Sequence, residues 1–402
     1  MLDRSEKQSI ATRLARYATG HRLSAMGLKT INPPISRATT LLFDSFEHAQ
    51  DWWALGVETG RTGYGITGTD LTHSLEDLFA ELDGGTEAVV TATGLSAVAL
   101  ALSTCLAAGD HLLMADNVYG PARTYAERFL VRFGVEVTFF DPLDLKALAA
   151  LIGKTTKVIY FEVPGSLTFE VPDCAAIYAL ARQHDLISIV DTTWPTSLYY
   201  PAVARGADIS VAAGTKYYAG HCDCFFGVVV GNDSTGLALR REAVLTGNHL
   251  AAEEAYMALR GMRTLKLRLD TMSQSALTVA NHLAEHPKVA EVRHPALPTC
   301  PGHENWVEQF TGSGSLFGLF LHCAYDRAAA AKFVNALELF GIGYSWGGFE
   351  SLALVQDPLP FRAVPSAQRL FDNRGALIRL QIGLEDPQDL IQDLDKALEV
   401  LA

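Results

Sequence analysis

The sequence predicts an α/β fold with a large, mostly parallel sheet, and two observations lead to this class. Seven short apolar runs alternate with helical stretches through the middle of the chain, as is typical of parallel strands joined by crossover helices. Hydrophobic residues make up 49% of the 402 residues and charged residues 19%, so the chain can bury full cores. The predicted strands cover residues 87–93, 111–115, 136–140, 157–163, 186–191, 207–212 and 225–230.

The two ends of the chain differ from this middle part. Residues 1–66 are rich in Gly, Thr and Pro and predict an extended arm, a kind of segment that usually embraces a partner. A chain of this length exceeds one core, so we expect a large domain that contains this sheet over residues 67–262 and a C-terminal domain over residues 263–402. The C-terminal domain is expected to begin with a long helix and to continue as a smaller α+β unit.

Helical patterns complete the predicted fold. A helix of small residues follows the Thr93-Gly94 turn, and two more helices are expected over residues 143–152 and 174–183. The last helix begins at Asp386-Pro387, because an acidic N-cap followed by proline at the first helical position is typical of a helix start. Its apolar face consists of Leu390, Ile391, Leu394, Leu398 and Leu401.

Charge and hydropathy argue against nucleic acid and membrane as partners. The net charge is −13, and such an acidic surface repels phosphodiester backbones. Residues 88–109 carry no charge and are about long enough to cross a bilayer, but they divide into a strand, a turn and a helix that we expect to be buried. The first seven residues lack the apolar core of a signal peptide, which predicts a cytoplasmic protein.

The six cysteines lack the regular spacing of a disulfide framework and are expected to be reduced. The tightest group is His221-Cys222-Asp223-Cys224. Alternation along a strand would place Cys222 and Cys224 on one face, but tetrahedral zinc normally needs a second pair of ligands. We therefore expect these cysteines to pack within a strand and expect no metal site.

A lysine and an aspartate indicate the chemistry. Asp191 ends one predicted strand and Lys216 follows the next, and ligands of parallel sheets bind beyond the carboxyl ends of the strands. Glu162 and the Thr93-Gly94 turn also lie at such ends, so all four are expected near one cleft. An amine that bonds to a carbonyl cofactor needs a lowered pKa, and a pyridine nitrogen stays protonated beside a buried carboxylate. The pair therefore predicts pyridoxal phosphate.

Two further features suit anionic groups. Gly94 and Leu95 begin a helix, where free backbone N–H groups and the helix dipole favour a phosphate, and Thr215 can add a hydroxyl donor. Glycine at a turn is often needed only to turn, so the turn by itself is weak support. Arg379 lies in an apolar strand, which is costly unless the guanidinium is paired, and its planar fork suits a carboxylate.

Short blocks spread over nearly the whole chain carry a resemblance to a known family. The blocks are Tyr64-Gly65, Gly94-Leu95-Ser96-Ala97, Asp116-Asn117-Val118-Tyr119-Gly120-Pro121, Glu162-Val163-Pro164-Gly165-Ser166, Asp191-Thr192-Thr193-Trp194, Thr215-Lys216-Tyr217, Arg260-Gly261-Met262-Arg263-Thr264-Leu265, the run from Tyr344 to Leu352, and the run from Arg379 to Asp386. In these blocks the sequence resembles the bacterial cystathionine β-lyases of the Cys/Met-metabolism family of pyridoxal-phosphate-dependent enzymes. The resemblance implies fold type I, with a seven-stranded sheet like that of aspartate aminotransferase, and a homotetramer formed as a dimer of dimers.

The resemblance also assigns roles around the cofactor. It implies that Lys216 binds the cofactor covalently, removes the Cα proton and protonates the departing sulfur, while Asp191 holds the ring nitrogen. Tyr119 is expected to stack on the ring and to help deprotonate the substrate amine. Gly94 and Leu95, with Thr215, are expected to bind the phosphate.

Substrate-binding residues follow from the same resemblance. Arg379 corresponds to the arginine that binds the substrate α-carboxylate, and Ser345 and Trp346 are expected to lie nearby. Tyr64 is expected to reach the phosphate bound by a neighbouring subunit and to line the substrate site. The implied reaction is α,β-elimination of L-cystathionine, an amino-acid substrate, to homocysteine, pyruvate and ammonia.

Several positions depart from the family pattern. The family's Tyr-x-Arg is here Tyr64-Gly65-Ile66, so the arginine that meets the phosphate is missing, unless Arg61 takes its place. Val244 stands where a tyrosine is common, Ala213 where serine is common, and Thr192 where asparagine is usual. We expect weaker cofactor binding and a less polar substrate than cystathionine.

Three functions therefore stay open at this point. A β-eliminating C–S lyase is favoured by Trp346, because γ-acting relatives usually have a smaller residue there. A γ-elimination or γ-replacement enzyme acting on another amino acid is the alternative. A non-catalytic relative is the third, and the intact Lys216, Asp191, Tyr119 and Arg379 argue against it.

Overall fold

The computed structural model describes residues 8–23, 27–59 and 63–401. Arg61 and the first seven residues lie outside these ranges. The strands are β1 His21–Leu23, β2 Leu28–Thr30, β3 Glu87–Thr91, β4 His111–Ala115, β5 Glu136–Phe140, β6 Thr156–Glu162, β7 Ile187–Asp191, β8 Ile209–Ala212, β9 Gly227–Gly231, β10 Val289–Arg293, β11 Leu316–His322, β12 Leu352–Gln356 and β13 Arg374–Gln381.

Fourteen α-helices lie in the described part of the chain. They are α1 Ile10–Arg16, α2 Phe46–Thr59, α3 Asp70–Asp83, α4 Gly94–Cys105, α5 Gly120–Arg128, α6 Leu145–Ala150, α7 Cys174–Gln183, α8 Thr196–Tyr199, α9 Gly236–Leu245, α10 Ala252–Met262, α11 Leu265–Ala284, α12 His303–Gln309, α13 Arg327–Ala336 and α14 Pro387–Leu398. Within the described ranges, none is both long and apolar enough to cross a membrane.

The large sheet has seven strands in the order β3-β9-β8-β7-β6-β4-β5, which confirms the predicted fold class. Strand β4 pairs in parallel with β5 and β6, and β6 pairs in parallel with β7. Strand β9 pairs antiparallel with β3 and β8, so the sheet is mixed at that end. All seven predicted strands are present, and six of them are mostly buried, so that they form continuous apolar runs that the sequence shows directly.

The chain divides into two compact units. The first comprises residues 1–104 and 201–267, and the second comprises residues 105–200 and 268–402. In the first unit, α3 ends at Gly84, whose φ of +77° is the left-handed conformation typical of a helix C-terminus. The division into an arm and two domains that we expect from the sequence stays a prediction. The segment expected to be an extended arm also contains α1, α2 and the β1–β2 hairpin.

The second unit contains a separate four-stranded antiparallel sheet in the order β10-β11-β13-β12. Its buried core includes residues from α11, α13 and α14. The last helix begins as predicted: Asp386 is the N-cap, its side chain accepts a hydrogen bond from the Gln388 N–H, and Pro387 follows it. All five apolar residues predicted for its inner face are buried.

The prediction of a strand through Cys222 and Cys224 is wrong. Cys222 has a φ of +59°, which a strand cannot contain, and the chain bends over residues 221–223 before β9 begins. As a result Cys222 is exposed and Cys224 is buried, so the two do not share a face. In the described ranges, no three His, Cys, Asp or Glu side chains are grouped so that they could hold a metal ion.

Candidate active site

Lys216 lies in a tight turn that follows β8. Its N–H donates to the Ala213 carbonyl at 3.1 Å, and its carbonyl accepts from the Gly220 N–H at 2.8 Å. Thr215 fastens this turn to the start of β9, since its N–H and hydroxyl both donate to the Phe226 carbonyl, at 3.0 and 3.1 Å. The same hydroxyl accepts from the Phe226 N–H. Several hydrogen bonds therefore fix the backbone that carries Lys216. The lysine itself is half-buried.

The expected phosphate donor Thr215 has a structural role in this arrangement. Its hydroxyl proton is directed at the Phe226 carbonyl, so donation to a phosphate requires the hydroxyl to rotate away. The role that the sequence suggests for Thr215 stays a prediction.

The start of α4 lies against the lysine turn within the same unit. A Cβ atom on Gly94 would come within 2.5 Å of the Ala213 Cβ, so only glycine fits at this position. Thr93 and Ser96 cap the helix reciprocally: the Ser96 N–H donates to the Thr93 hydroxyl at 3.0 Å, and the Thr93 N–H donates to the Ser96 hydroxyl at 2.9 Å. The N–H groups of Gly94 and Leu95 lie in the first turn, where the helix offers no acceptor.

Asp191 ends β7 and is buried, with 6% of its surface exposed. Its Oδ1 atom accepts hydrogen bonds from the Thr193 N–H at 2.9 Å and from the Thr193 hydroxyl at 2.6 Å. Hydrogen bonds to a carboxylate favour its charged form and fix its orientation. This side chain therefore has the burial and the charge needed beside a pyridinium nitrogen.

Tyr119 and Glu162 are joined directly. The Tyr119 N–H donates to Glu162 Oε2 at 2.6 Å, which ties the loop before α5 to the end of β6. Desolvation raises the pKa of the Tyr119 phenol, and the neighbouring carboxyl groups of Glu162 and Asp191, which are ionised at the high pH where a phenol titrates, raise it further. The phenol is thus neutral at ordinary pH, and 44% of the residue is exposed. The sequence placed Glu162 at the correct sheet edge but indicated no role for it.

Arg379 lies on β13, the strand between β11 and β12, and is 8% exposed. Its Nη2 donates to the carbonyls of Gly343 at 3.1 Å and Ser345 at 2.9 Å, while its buried Nε has no hydrogen-bond partner among the described residues. Desolvation lowers its pKa to about 10, against the opposing effect of Tyr344. A buried cation with an unused donor fits a carboxylate ligand.

Ser345 and Trp346, the two residues predicted to lie near Arg379, differ from each other in their surroundings. Ser345 contacts it through the backbone carbonyl and has a φ of +71°, an uncommon conformation for a residue other than glycine. Trp346 packs against a buried group in the same unit. That group consists of Phe169, Trp194, Cys300 and Leu316.

Tyr64 and Ile66 lie with the N-terminal part of the first unit. Tyr64 is 52% exposed and forms an isolated antiparallel bridge with Thr40. Ile66 and Val244, two of the departures from the family pattern, line the same small cavity. The His249 Nδ1 lies 3.3 Å from the Ile66 carbonyl oxygen. Ile66 and Val244 are far apart along the chain, so the composition and periodicity of the sequence do not indicate their proximity. Only the family resemblance relates both positions to the distal part of the substrate.

The residues present fit pyridoxal phosphate. One unit contains a lysine in a fixed turn against a helix start that tolerates only glycine, a suitable combination for a phosphate and a carbonyl group. The other unit contains a buried, oriented carboxylate and a buried arginine whose Nε lacks a partner in the part of the chain that the structure describes. The lysine and the helix start match the carbonyl group and the phosphate of the cofactor. The carboxylate matches its ring nitrogen, and the arginine matches the carboxylate of an amino-acid substrate.

Comparisons with known proteins agree with this fit. The sequence pattern of the Cys/Met metabolism PLP-dependent enzymes matches residues 17–399. The chain is 42% identical to a cystathionine beta-lyase of Bordetella avium over 93% of both chains, and 41% identical to cystathionine beta-lyase MetC of Escherichia coli (strain K12) over 92% of this chain and 93% of that one. The crystal structure of cystathionine gamma-lyase from Lactobacillus plantarum complexed with L-serine superposes with a TM-score of 0.85 at 28% identity, covering 98% and 99% of the two chains.

Proposed function

The chain belongs to the Cys/Met metabolism family of pyridoxal-phosphate-dependent enzymes, and on that premise we propose that it is a C–S lyase acting on L-cystathionine or a related cysteine thioether. The reaction is α,β-elimination, which releases a thiol, pyruvate and ammonia. The observation that carries the proposal is the similarity to cystathionine beta-lyases over more than nine-tenths of the chain, with Lys216, Asp191, Tyr119 and Arg379 all in place.

Pyridoxal phosphate, when bound, supplies an electron sink that makes the Cα proton of an amino acid acidic. In this chain Lys216 carries the amine that removes that proton and donates one to the departing sulfur. Asp191 keeps a proton on the ring nitrogen through its buried carboxylate. Arg379 binds the substrate carboxylate through the donor that its Gly343 and Ser345 contacts leave unused.

The phosphate is bound by the start of α4 in this proposal. The N–H groups of Gly94 and Leu95 are oriented by the Thr93–Ser96 cap, and the helix dipole favours a dianion at this end. Tyr119 packs on the ring as a neutral phenol, and its oxygen can accept a hydrogen bond from the substrate amine. Removal of the amine proton by this residue would need the phenolate, which the raised pKa disfavours.

We also propose that the enzyme is a cytoplasmic homotetramer in which Tyr64 reaches the site of a neighbouring subunit. Tyr64 is half exposed, and apolar side chains of the same N-terminal segment are exposed as well, among them Leu42 at 92% and Phe46 at 72%. Exposed apolar surface of this kind suits a subunit interface. In this reading the arm, residues 1–66, covers a neighbour, and the domains are residues 67–262 and 263–402.

The adjacent Ile66 and Val244 favour a less polar substrate than cystathionine. Both side chains are aliphatic and line one small cavity, so neither offers an ionic partner to a charged distal substrate group. Arg240 and Glu76 also line this cavity, but they are paired with each other at 2.8 Å. Small S-alkyl cysteines are therefore expected to compete well. A γ-eliminating enzyme is the second candidate, since the solved gamma-lyase shares the fold over nearly the whole chain.

One experiment separates these functions. The purified protein is given L-cystathionine or S-alkyl cysteines, its visible absorbance is recorded, and the oxo acid released is identified. Pyruvate as the product supports β-elimination, whereas 2-oxobutyrate establishes the γ-acting alternative. A protein without visible absorbance that releases neither oxo acid contradicts both.

A further inference from the structure

Glu162 and Asp191 form a pair of carboxyl groups at one edge of the parallel strands. Glu162 is the last residue of β6, Asp191 is the last residue of β7, and the two are register partners. Register partners in neighbouring strands lie about 4.8 Å apart, with their side chains on the same face of the sheet. Asp191 is oriented by Thr193, whereas Glu162 is half-buried and directed towards the loop before α5.

The Glu162 carboxyl group fixes that loop. Strand β4 ends at Ala115 and α5 begins at Gly120, and Tyr119 is the residue that precedes the helix. The 2.6 Å hydrogen bond from the Tyr119 N–H to Glu162 Oε2 links this loop to a strand more than 40 positions further along the chain. The position of the Tyr119 ring therefore depends on an acceptor at residue 162.

The surroundings of Glu162 favour its neutral form. Desolvation raises its pKa well above the ordinary value of 4.5, and the charge of Asp191 raises it further, against the Tyr119 N–H and Arg362, which act in the opposite direction. Tyr160, on the same strand, is fully buried, and its pKa is raised by desolvation and by both carboxyl groups. Two adjacent carboxyl groups in such a site do not ionise together.

We propose that Glu162 is a positioning residue: as a neutral carboxyl group it accepts the Tyr119 N–H and leaves the negative charge of the pair on Asp191. The inference rests on the proposed function, in which Asp191 holds a proton on the ring nitrogen and Tyr119 packs on the ring. An ionised Glu162 would compete with Asp191 for that proton and would repel its carboxylate.

Three variants separate the acceptor from the charge. E162Q keeps the length, the neutral state and an amide oxygen for the Tyr119 N–H, so its kcat/KM for pyruvate release is expected within about threefold of the wild type. E162D withdraws the carboxyl group by one methylene, and E162L removes the acceptor at similar volume. Each leaves the N–H without its partner, and we expect kcat/KM to fall about 10- to 100-fold. An E162Q enzyme as impaired as E162L would show that the ionised carboxylate is needed and would overturn the proposal.

The pH dependence of stability gives a readout independent of turnover. Because its folded-state pKa is raised, Glu162 binds its proton more tightly in the folded protein than in the unfolded chain. Above pH 4.5 and up to the folded pKa, rising pH therefore lowers the free energy of unfolding of the wild type relative to E162Q. The difference between the two is measured by chemical denaturation from about pH 5 to 8. A difference that stays constant over this range contradicts a neutral Glu162.

E170Q is the matched control. Glu170 is also buried in this unit, and desolvation acts to raise its pKa. The charges of Arg362 and Arg293, together with hydrogen bonds from Thr168 and Asn117, outweigh this effect and lower the pKa, and Glu170 pairs with the Arg293 guanidinium at 3.2 Å. E170Q should lose stability near neutral pH and should lack the slope expected for Glu162. If the wild type releases no pyruvate, the proposed function fails, while the stability slope still tests the charge state of Glu162.

Discussion

Arg379 is a buried cation whose contacts define what it can bind. Its guanidinium uses Nη2 for the backbone carbonyls of Gly343 and Ser345, and its buried Nε has no partner within residues 8–23, 27–59 and 63–401. A guanidinium can bind two carbonyls and a carboxylate at once, because its donors lie in one rigid plane. The single ammonium group of a lysine cannot occupy both positions.

We therefore expect R379K to lower kcat/KM by the equivalent of about 2 to 4 kcal/mol, mostly through weaker binding of the α-carboxylate. R374K is the matched control, because Arg374 begins the same strand and binds Glu291 instead. Steady-state kinetics of both variants give the comparison. Equal losses in the two variants would mean that Arg379 acts through the fold and not through the substrate.

Among the proposed phosphate contacts, position 66 differs most from the family pattern, because Ile66 stands where the family has arginine. An arginine introduced there adds a charge-assisted hydrogen bond if residue 66 approaches the phosphate of a neighbouring subunit. We expect I66R to lower the dissociation constant of pyridoxal phosphate by about 10- to 150-fold, while I66Q, similar in length but neutral, changes it much less. Equilibrium dialysis measures all three proteins, and equal binding would place residue 66 away from the phosphate.

The start of α4 is the element that brings the glycine turn and the lysine turn together. Two features define it: the reciprocal cap between Thr93 and Ser96, and the absence of a side chain at Gly94. The cap satisfies two backbone N–H groups and leaves those of Gly94 and Leu95 directed beyond the helix end. The close contact with Ala213 then fixes the distance between this helix and the turn that contains Lys216.

G94A should therefore separate the helix from the lysine turn. Its Cβ would lie 2.5 Å from that of Ala213, and overpacking of this kind costs about 1 to 3 kcal/mol in unfolding free energy. Displaced N–H groups should also weaken binding of pyridoxal phosphate by about tenfold or more. G153A is the control, since a Cβ at Gly153 meets one atom only, at 3.9 Å. Cofactor binding equal in G94A and the wild type would exclude α4 from the phosphate site.

For the molecule as a whole, a buried histidine makes stability sensitive to acid. His294 is fully buried, 6.1 Å from the Trp194 ring and 5.8 Å from the Phe317 ring between centroids. Its Nδ1 accepts the Ala296 N–H at 3.1 Å, which a ring protonated at that atom cannot do. Desolvation lowers its pKa from 6.5 to about 4, although a backbone contact with Gly314 opposes the shift.

The sign of the effect follows from the two pKa values. Between pH 6.5 and about 4 the unfolded chain binds a proton at His294 and the folded protein does not, so the free energy of unfolding falls as pH falls. We expect a loss of about 3 kcal/mol over this range that H294N lacks, because the amide oxygen of asparagine can accept the same N–H without titrating.

Denaturation curves of the two proteins at several pH values test this expectation. H286N is the control: His286 accepts the Lys288 N–H in the same local pattern but is only partly buried, so its removal should change the acid sensitivity less. An H294N variant that loses stability in acid as steeply as the wild type would assign the sensitivity to other groups.

The sequence by itself determined the seven strands of the large sheet, the starts of several helices and the types of chemical group at the site. Buried strands are apolar over their whole length, and the Asp386-Pro387 cap acts on its own helix, so both signals are local. Asp191 was identifiable because it ends such a strand, and Lys216 because it follows one. The resemblance of the sequence blocks then indicated the cofactor, and the comparisons confirm it.

Only the tertiary structure decided how separate segments use these groups. The bond from Tyr119 to Glu162 and the contact of Gly94 with Ala213 each join residues that are distant in the chain, and no periodicity records such pairs. The loop through Cys222 was predicted wrongly for a related reason. A residue with left-handed backbone conformation ends a strand, but the amino-acid composition around it does not show this. Local sequence fixes which residues are apolar or charged, whereas distances between elements depend on how the whole chain packs.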